Sequence, residues 1–251
     1  MRSQRQPECA RDSEYLPRIP RASGIQYSAV RGVTDTPWNF IPLGDTAITI
    51  PVGEGISQEL SEHVVRRASL IRTAGIPGVT DVVSSYASLV VHYNPLTIGY
   101  HDLRERLRSL SVSSAESSTE RDTGFKTHVI PVRYDGEDLD DVARRTGLST
   151  DEVIRIHSSA IYRVLVIGFV PGFAYMGPLD ERLVIPRKES PRKRVPAGSV
   201  AIAESQTGIY PSATPGGWHI LGTTAAKMFD ALASPPALFA AGDVVRFEVV
   251  Q

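Results

Sequence analysis

The residues best suited to chemistry lie in the last third of the chain, where a glycine-rich segment follows a basic one. Residues 182–194 hold six basic side chains and one acid, whereas residues 195–220 hold four glycines, three prolines and one formal charge, Glu204. Clustered cations attract anions, and glycine lets a backbone approach a ligand where a Cβ would clash. The two segments together predict the wall of a small-molecule cleft with anion-attracting residues at its lip.

Five of the cations lie between residues 187 and 194, where they repel one another unless an anion or an acidic surface neutralises them. The guanidinium fork suits carboxylate and phosphate oxygens. We therefore assign anion or nucleotide binding to Arg187 and Arg192, with Arg194 as a third candidate. A solvated face is the default alternative for such a run of charges.

The glycine-rich segment combines neutral donors and acceptors with flexible backbone. Its substrate-binding candidates are Gln206, Thr207, Tyr210, Gly216, Gly217 and His219. His219 could titrate near neutrality, but on a strand facing a barrel interior it is more typical of a hydrogen-bonded core residue than of a base. Tight corners that need glycine are the alternative explanation for one or two of the glycines.

The stretch GFVPGFAYMG, residues 168–177, joins an apolar run to an aromatic turn at Pro171-Gly172. Phe173 and Tyr175 are two residues apart, which places both rings on one side of an extended segment. Phe173 and Tyr175 are candidates for substrate binding as a pocket wall, with a plug that closes the barrel as the alternative. For Phe169 we predict the buried plug.

Other chemical signatures are missing from the sequence. It has no GxxxxGK[ST] loop, no GxGxxG after a strand, no GxSxG and no HExxH. Its six histidines have no ligand-like spacing, so we expect no protein-bound metal. The AAKMF motif around Lys227 has no hairpin domain of its own, and we interpret Lys227 as a solvated lysine. The catalytic residues are not identified by these patterns.

Composition bounds the class of protein. With 251 residues, 41% hydrophobic and 22% charged, the chain is globular. A formal net charge of −1 predicts no attraction to nucleic acid or to anionic membranes. The single cysteine, Cys9, excludes an internal disulfide framework. Neither a membrane-spanning run nor a signal-peptide pattern is found, so we expect a cytoplasmic protein.

Two folding units are expected. Residues 1–38, polar and interrupted by proline, predict a poorly ordered extension. Residues 39–134 predict a small α+β domain in the ferredoxin-like split βαβ order, closed by the strand FKTHVIPVRY at residues 125–134. Its first helix should follow an N-cap at Ser57. The inner face of that helix is expected to hold Leu60, Val64, Ala68 and Ile71.

The second unit should be mainly β. Residues 135–160 predict a connector of two helices, the second starting at a capping box between Ser149 and Glu152. From residue 161 to 251, short strand-like runs alternate with glycine and proline, which is typical of a nearly closed antiparallel barrel. RLVIP, residues 182–186, is one of these predicted strands.

Three stretches strongly resemble the KipI-like family. They are SYASLVVHYNP at 85–95, YRVLVIGFVPGFAYMG at 162–177 and RVPAGSVAIAESQTGIYPSATPGGWHILG at 194–222. Members of this family are called the B subunit of 5-oxoprolinase or allophanate hydrolase subunit 1, and they correspond to carboxyltransferase subdomains C and D. The resemblance implies a small α+β domain followed by a cyclophilin-like barrel.

The resemblance also implies a function. The chain would be one subunit of a hydrolase that opens 5-oxoproline to glutamate, and it would be inactive alone. The assembled enzyme would use ATP, with Mg as the counter-ion of the nucleotide. Its partners would be a companion subunit with carboxyltransferase subdomains A and B and a third, lactam-opening subunit. One alternative is a regulatory protein that inhibits a sensor histidine kinase. Another is part of a biotin-dependent urea carboxylase, although nothing on this chain supplies biotin.

Overall fold

A computed structural model describes residues 38–115 and 125–251, so nearly all of the extension predicted at residues 1–38 lies outside the described residues. The first unit is a four-stranded antiparallel sheet with the order β1-β2-β4-β3. Its elements are β1 Ile41–Leu43, β2 Ala47–Pro51, α1 Gln58–Thr73, β3 Val79–Ser84, β4 Ser88–Tyr93 and α2 Tyr100–Ala115.

Local sequence signals place helix α1 as predicted. The Ser57 side chain accepts a hydrogen bond from the Leu60 N–H and so caps the helix. Gly75, with φ +56°, lies just past the Ala74 C-cap. The predicted inner face is confirmed, because Leu60, Val64, Ala68 and Ile71 are all buried in the core of this unit.

The ferredoxin-like arrangement is not confirmed, and the strand expected to complete it was assigned wrongly. That strand, β5 (Thr127–Val132), pairs in parallel with a strand at the end of the chain, Val244–Val249, in a different sheet. The free side of β2 is occupied instead by β1, since Ile41 to Leu43 pair with Thr49 to Ala47. A short hairpin therefore fills the position that β5 was expected to take.

The second unit is a seven-stranded sheet with the order β12-β9-β10-β7-β6-β13-β5, beside a two-stranded ribbon of β8 and β11. Its remaining strands are β6 Ile161–Ile167, β7 Ala174–Gly177, β8 Arg192–Val195, β9 Ser199–Ala203, β10 Gln206–Ile209, β11 Thr214–Gly216, β12 His219–Thr223 and β13 Val244–Val249. The prediction of a mainly-β second unit is confirmed. RLVIP was wrong as a strand, because it forms a 3-10 turn at Glu181–Leu183 and then a single bridge from Ile185 to Glu204.

The seven-stranded sheet nearly closes on itself. Its two edge strands, β5 and β12, meet where Arg133 and Thr223 exchange backbone hydrogen bonds of 2.9 and 2.8 Å. This seam requires glycine, because a Cβ on Gly222 would lie 2.3 Å from the Arg133 carbonyl oxygen. Closure pairs most of the backbone N–H and C=O groups that would otherwise be free at the sheet edges. It also holds in place the loops that carry the candidate site.

The two predicted helices are present, α3 Leu139–Thr146 and α4 Thr150–Ser159, but their role as a connector between the units was predicted wrongly. They lie between β5 and β6, two strands of the same seven-stranded sheet. The capping box between Ser149 and Glu152 is confirmed. Helix α1 of the first unit packs on β6, where the buried Ser61 hydroxyl donates to the Leu165 carbonyl at 3.2 Å. None of the helices in the two described ranges is long and apolar enough to cross a bilayer.

Candidate functional site

Four aromatic side chains from three parts of the barrel form one cluster, which we call the aromatic face: Phe173, Tyr175, Tyr210 and Trp218. Phe173 is at its centre, with ring centroids 4.8 Å from Tyr175, 5.3 Å from Tyr210 and 5.5 Å from Trp218. All three contacts are edge-on, the preferred geometry of aromatic pairs. Phe173, Tyr210 and Trp218 are buried and Tyr175 is partly buried, so Tyr175 is the member that solvent or a ligand can reach.

The glycines of this region have a packing role. A Cβ on Gly216 would lie 2.3 Å from the Tyr210 hydroxyl oxygen, and one on Gly208 would lie 3.0 Å from Phe173 Cζ. Gly217 is less constrained, and its carbonyl accepts a hydrogen bond from the Lys188 N–H at 2.8 Å. The space above Gly216, predicted for a ligand, is therefore filled by Tyr210.

Arg187 lies beside the aromatic face. Its side chain is 53% exposed, and its Nε is 3.6 Å from the Glu204 carboxylate, a loose ion pair. Burial raises the pKa of the Tyr175 phenol, and the charge of Arg187 opposes that effect. Burial likewise raises the pKa of Tyr210, again opposed by Arg187. The exposed and loosely paired Arg187 is therefore available to an anionic ligand.

Arg192 and Lys188 are held by the protein itself. Arg192 Nη2 and Lys188 Nζ lie 2.7 and 2.6 Å from Oδ1 of the buried Asp138, whose Oδ2 accepts from the Ile220 N–H at 2.8 Å. Arg192 Nε also contacts Glu137 at 2.7 Å. Burial acts to raise the pKa of Asp138, but the hydrogen bonds from Arg192, Lys188 and Ile220 outweigh it and lower that pKa.

The predicted cation cluster thus divides into groups with different surroundings. Asp138 neutralises Arg192 and Lys188, Arg187 faces the aromatic residues, and Arg194 is exposed on β8. Arg192 still lies on the same side of the molecule as the glycine-rich segment, because it pairs with Gly216 across the β8–β11 ribbon. Of the three predicted anion binders, Arg187 has the geometry to contact a ligand at the aromatic face.

Thr207 lies inside the barrel. Its hydroxyl donates to the Ala201 carbonyl at 3.2 Å, so it accepts from His157 Nε2 at 2.8 Å. The other ring nitrogen of His157 then accepts from the Tyr134 hydroxyl at 2.7 Å. Burial lowers the pKa of His157 to about 3. Thr207, at 0% exposed, therefore belongs to a neutral buried chain of hydrogen bonds that offers no atom to a substrate.

His219 is a buried residue on β12. Its Nε2 donates to the Pro186 carbonyl at 2.9 Å, and its Nδ1 has no hydrogen-bond partner among the described residues. Burial lowers its pKa, against an opposing effect of the bond to Pro186. The expectation of a hydrogen-bonded core histidine is confirmed.

Gln206 connects the barrel to the first unit. Its amide Nε2 and Oε1 lie 3.0 and 3.2 Å from the Tyr86 hydroxyl, which comes from the turn between β3 and β4. The Tyr86 ring also meets the Tyr175 ring edge-on, at 6.0 Å between centroids. Tyr86 and Tyr175 are partly exposed at this contact, whereas Gln206 is buried.

The prediction that Phe169 plugs the barrel was wrong. Phe169 is 60% exposed and has a φ of +69°, in the left-handed region that a bulky side chain rarely adopts. Backbone hydrogen bonds from Gly168 to Phe173 and from Phe173 to Val170 close this turn and present the ring outward. Lys227, in contrast, is 69% exposed, and its interpretation as a solvated lysine is confirmed.

Sequence reasoning missed Asp138, His157, Tyr134 and Tyr86. Asp138 precedes α3 and has the residue type of a helix cap, but its side chain makes no capping bond and points to the cations instead. Tyr86 stands in the stretch SYASLVVHYNP, whose resemblance to a known family was the available signal. Their partners are distant in sequence, so spacing could not reveal the pairings.

Comparison with known proteins gives consistent matches. Residues 38–239 match the family model described as carboxyltransferase domain, subdomain C and D. The chain is 38% identical to the B subunit of 5-oxoprolinase from Bacillus subtilis (strain 168), over 82% of this chain and 90% of that protein. It is also 38% identical to the B subunit of 5-oxoprolinase from Escherichia coli O157:H7, over 82% of this chain and 93% of that protein.

A solved structure supports the fold. The crystal structure of TTHA0988 superposes with a TM-score of 0.73 at 38% identity, covering 82% of this chain. The match covers 40% of the TTHA0988 chain, so this chain corresponds to less than half the length of that protein.

Proposed function

The chain belongs to the family of carboxyltransferase subdomains C and D, and from this membership we propose that it is a subunit of an ATP-dependent hydrolase that opens 5-oxoproline to glutamate. The relatives are B subunits of 5-oxoprolinase that match over most of their length. One structural observation carries the assignment of the site. The cation Arg187 is exposed and only loosely paired, and it precedes Lys188, whose N–H donates to the Gly217 carbonyl next to Trp218 of the aromatic face.

The chemistry of a lactam matches these groups. 5-Oxoproline has a carboxylate, a ring amide and an apolar ring edge. We assign the carboxylate to Arg187, because guanidinium–carboxylate hydrogen bonds are charge-assisted. The aromatic face covers the ring, and Gln206 contacts the amide. Arg192, held by Asp138, orders the ribbon that borders this surface and contributes positive charge without direct contact.

Ring opening needs activation because an amide carbonyl is a poor electrophile. In the assembled enzyme, ATP transfers its γ-phosphoryl group to the lactam oxygen and leaves as ADP. Water then adds to the activated carbon and the C–N bond breaks. The ring nitrogen takes a proton, and hydrolysis releases phosphate to give glutamate. This chain contributes substrate orientation to that sequence, and the nucleotide with its Mg is bound within the complex.

Membership of the family also supports a proposal about the partner subunits of this chain. The relatives are each one subunit of a larger enzyme, which implies companion subunits, and a companion with carboxyltransferase subdomains A and B fits the family. The TTHA0988 chain is more than twice as long as its matched part, so this module also occurs with further polypeptide attached. A third subunit would complete lactam opening.

Reconstitution tests the proposal. The chain is mixed with its companion subunits, and glutamate formation from 5-oxoproline is measured with and without ATP. We expect glutamate formation to require ATP and to disappear when this chain is left out, because the substrate would lose its orienting surface. Glutamate formation at an undiminished rate without this chain would refute the assignment.

A further inference from the structure

The hairpin turn between β9 and β10 carries the one acid of the glycine-rich segment. Ala203 pairs with Gln206, so Glu204 and Ser205 form a two-residue loop. Glu204 has a φ of +53°, and glycine is the residue preferred at the first position of such a loop when its φ is positive. Among the described residues, Phe169 is the only other non-glycine residue with a positive φ. An acid therefore stands in a backbone conformation that suits glycine.

Backbone hydrogen bonds on both sides hold this turn in place. The Glu204 N–H donates to the Ile185 carbonyl at 2.6 Å, and the Ser205 carbonyl accepts from the Leu179 N–H at 2.9 Å. Ile185 stands two residues before Arg187, so the bond to Glu204 also brings Arg187 close to the turn. Ordered backbone thus sets the Glu204 carboxylate and the Arg187 guanidinium beside each other.

The Glu204 side chain contributes little to the stability of the fold. Its Oε1 lies 3.6 Å from the Arg187 Nε, which is too long for a hydrogen bond, and the carboxylate has no other polar partner within the described residues. The side chain is 27% exposed, and exposed ion pairs of this kind add little stability. A left-handed glutamate whose carboxylate adds so little to stability points to a function for that carboxylate.

We propose that Glu204 accepts a hydrogen bond from the ring N–H of 5-oxoproline while Arg187 binds the substrate carboxylate. This inference rests on the proposed function. In 5-oxoproline the N–H and the carboxylate are carried by neighbouring ring atoms, so an acceptor and a cation that lie side by side can contact both. The partial exposure of both side chains leaves them accessible to a ligand.

The carboxylate becomes more important as the ring opens. Phosphorylation of the lactam oxygen leaves positive charge on the ring nitrogen. When water attacks, its oxygen becomes the carbonyl of a γ-acyl phosphate. The electrons of the broken C–N bond stay on nitrogen, and the two protons of the water end there, which gives the ammonium group of glutamate. Because the lactam lacks this positive charge, Glu204 stabilises the activated states more than the bound substrate and so lowers the barrier.

Substitutions of Glu204 in the assembled complex test this role. Glu204→Gln keeps an oxygen that can accept the N–H bond but removes the charge. We therefore expect kcat for 5-oxoproline to fall about 10- to 100-fold, with KM changed by less than about threefold. Glu204→Asp keeps the charge and should retain more kcat than Glu204→Gln. Glu189→Gln is the matched control, because Glu189 is an exposed acid two residues after Arg187, and it should change neither value.

Two ligands give a readout that a structural role would not move. Glutamate carries the ammonium group, and 2-hydroxyglutarate carries a hydroxyl in its place. Their inhibition constants are measured with the wild-type complex and with Glu204→Gln. We expect the preference of the wild type for glutamate to shrink about tenfold or more in the variant, because the bond between a carboxylate and an ammonium group is charge-assisted.

Glu204→Gly separates function from folding. Glycine adopts a positive φ without strain, so the full chain should unfold at a temperature at least as high as the wild type. Its kcat should fall as far as that of Glu204→Gln or further. Loss of stability and activity together in Glu204→Gly would overturn the role of the carboxylate, because a structural defect would explain both.

The outcomes also separate this inference from the proposed function. If the wild-type complex does not convert 5-oxoproline, the proposed function fails. If the wild-type complex is active and Glu204→Gln keeps both its kcat and its preference for glutamate, the role of Glu204 is overturned while the proposed function stands. Equal losses of kcat in Glu204→Gln and Glu189→Gln would overturn it as well, because they would report a general effect of removing negative charge.

Discussion

Replacing Asp138 with asparagine is expected to lower the free energy of unfolding by about 3 kcal/mol, near the lower end of the range for breaking a buried ion pair. The carboxylate is 4% exposed and contacts Lys188, Arg192 and the Ile220 N–H. In asparagine one oxygen becomes an NH₂ group, which then faces a cation or a backbone N–H. Because Arg192 keeps its contact with Glu137, we expect the loss of unfolding free energy to lie at the lower end of that range.

Urea denaturation of the isolated chain at pH 7 measures this effect. Asp140→Asn is the matched control, since Asp140 is an exposed acid in the first turn of the same helix and is expected to change the stability by less than about 0.5 kcal/mol. A second variant combines Asp138→Asn with Lys188→Gln and should recover part of the loss. Similar stabilities for Asp138→Asn and Asp140→Asn would contradict the role of this carboxylate.

Acidification from pH 6.5 to pH 5 is expected to remove about 2 kcal/mol of stability through His157. Burial lowers the pKa of His157 to about 3, against an ordinary value of 6.5. Between these values the unfolded chain binds a proton that the folded chain does not bind. Stability from this group is therefore fully present above pH 6.5 and declines as the pH falls toward 3.

His157→Gln should flatten this part of the profile. The variant will be less stable at pH 7, because Tyr134 and Thr207 lose a partner, but its stability should depend less on pH between 6.5 and 5. Some dependence remains in the variant because the pKa of His219 is also lowered by burial. Urea denaturation at several pH values measures both slopes. Parallel profiles for the wild type and His157→Gln would rule out this source of acid sensitivity.

Features determined by neighbouring residues could be predicted from the sequence. The caps at Ser57 and at Ser149 with Glu152 depend on spacings of three residues, and both are present. The apolar face of α1 follows from helical periodicity. The many short strands of the second unit could be predicted because glycine and proline residues separate the apolar runs. This pattern did not reveal that the basic segment itself contains strand β8.

Features determined by distant partners could not be predicted. Strand β5 pairs with β13, more than one hundred residues later, and nothing local distinguishes that choice from pairing with β2. The cations at 187–194 were predicted to meet a ligand, but Asp138, on another element, takes up two of them. Phe169 was predicted to be buried, whereas the tight turn around it directs the ring outward.

The most direct test of the substrate site is the KM for 5-oxoproline of the assembled complex carrying Arg187→Gln. Because Arg187 would lose a charge-assisted bond to the substrate carboxylate, we expect KM to rise about 10- to 100-fold. Lys193→Gln, which removes an exposed cation from the neighbouring strand β8, should leave KM unchanged. An unchanged KM in Arg187→Gln, or an equal rise in both variants, would contradict a specific carboxylate site at the aromatic face.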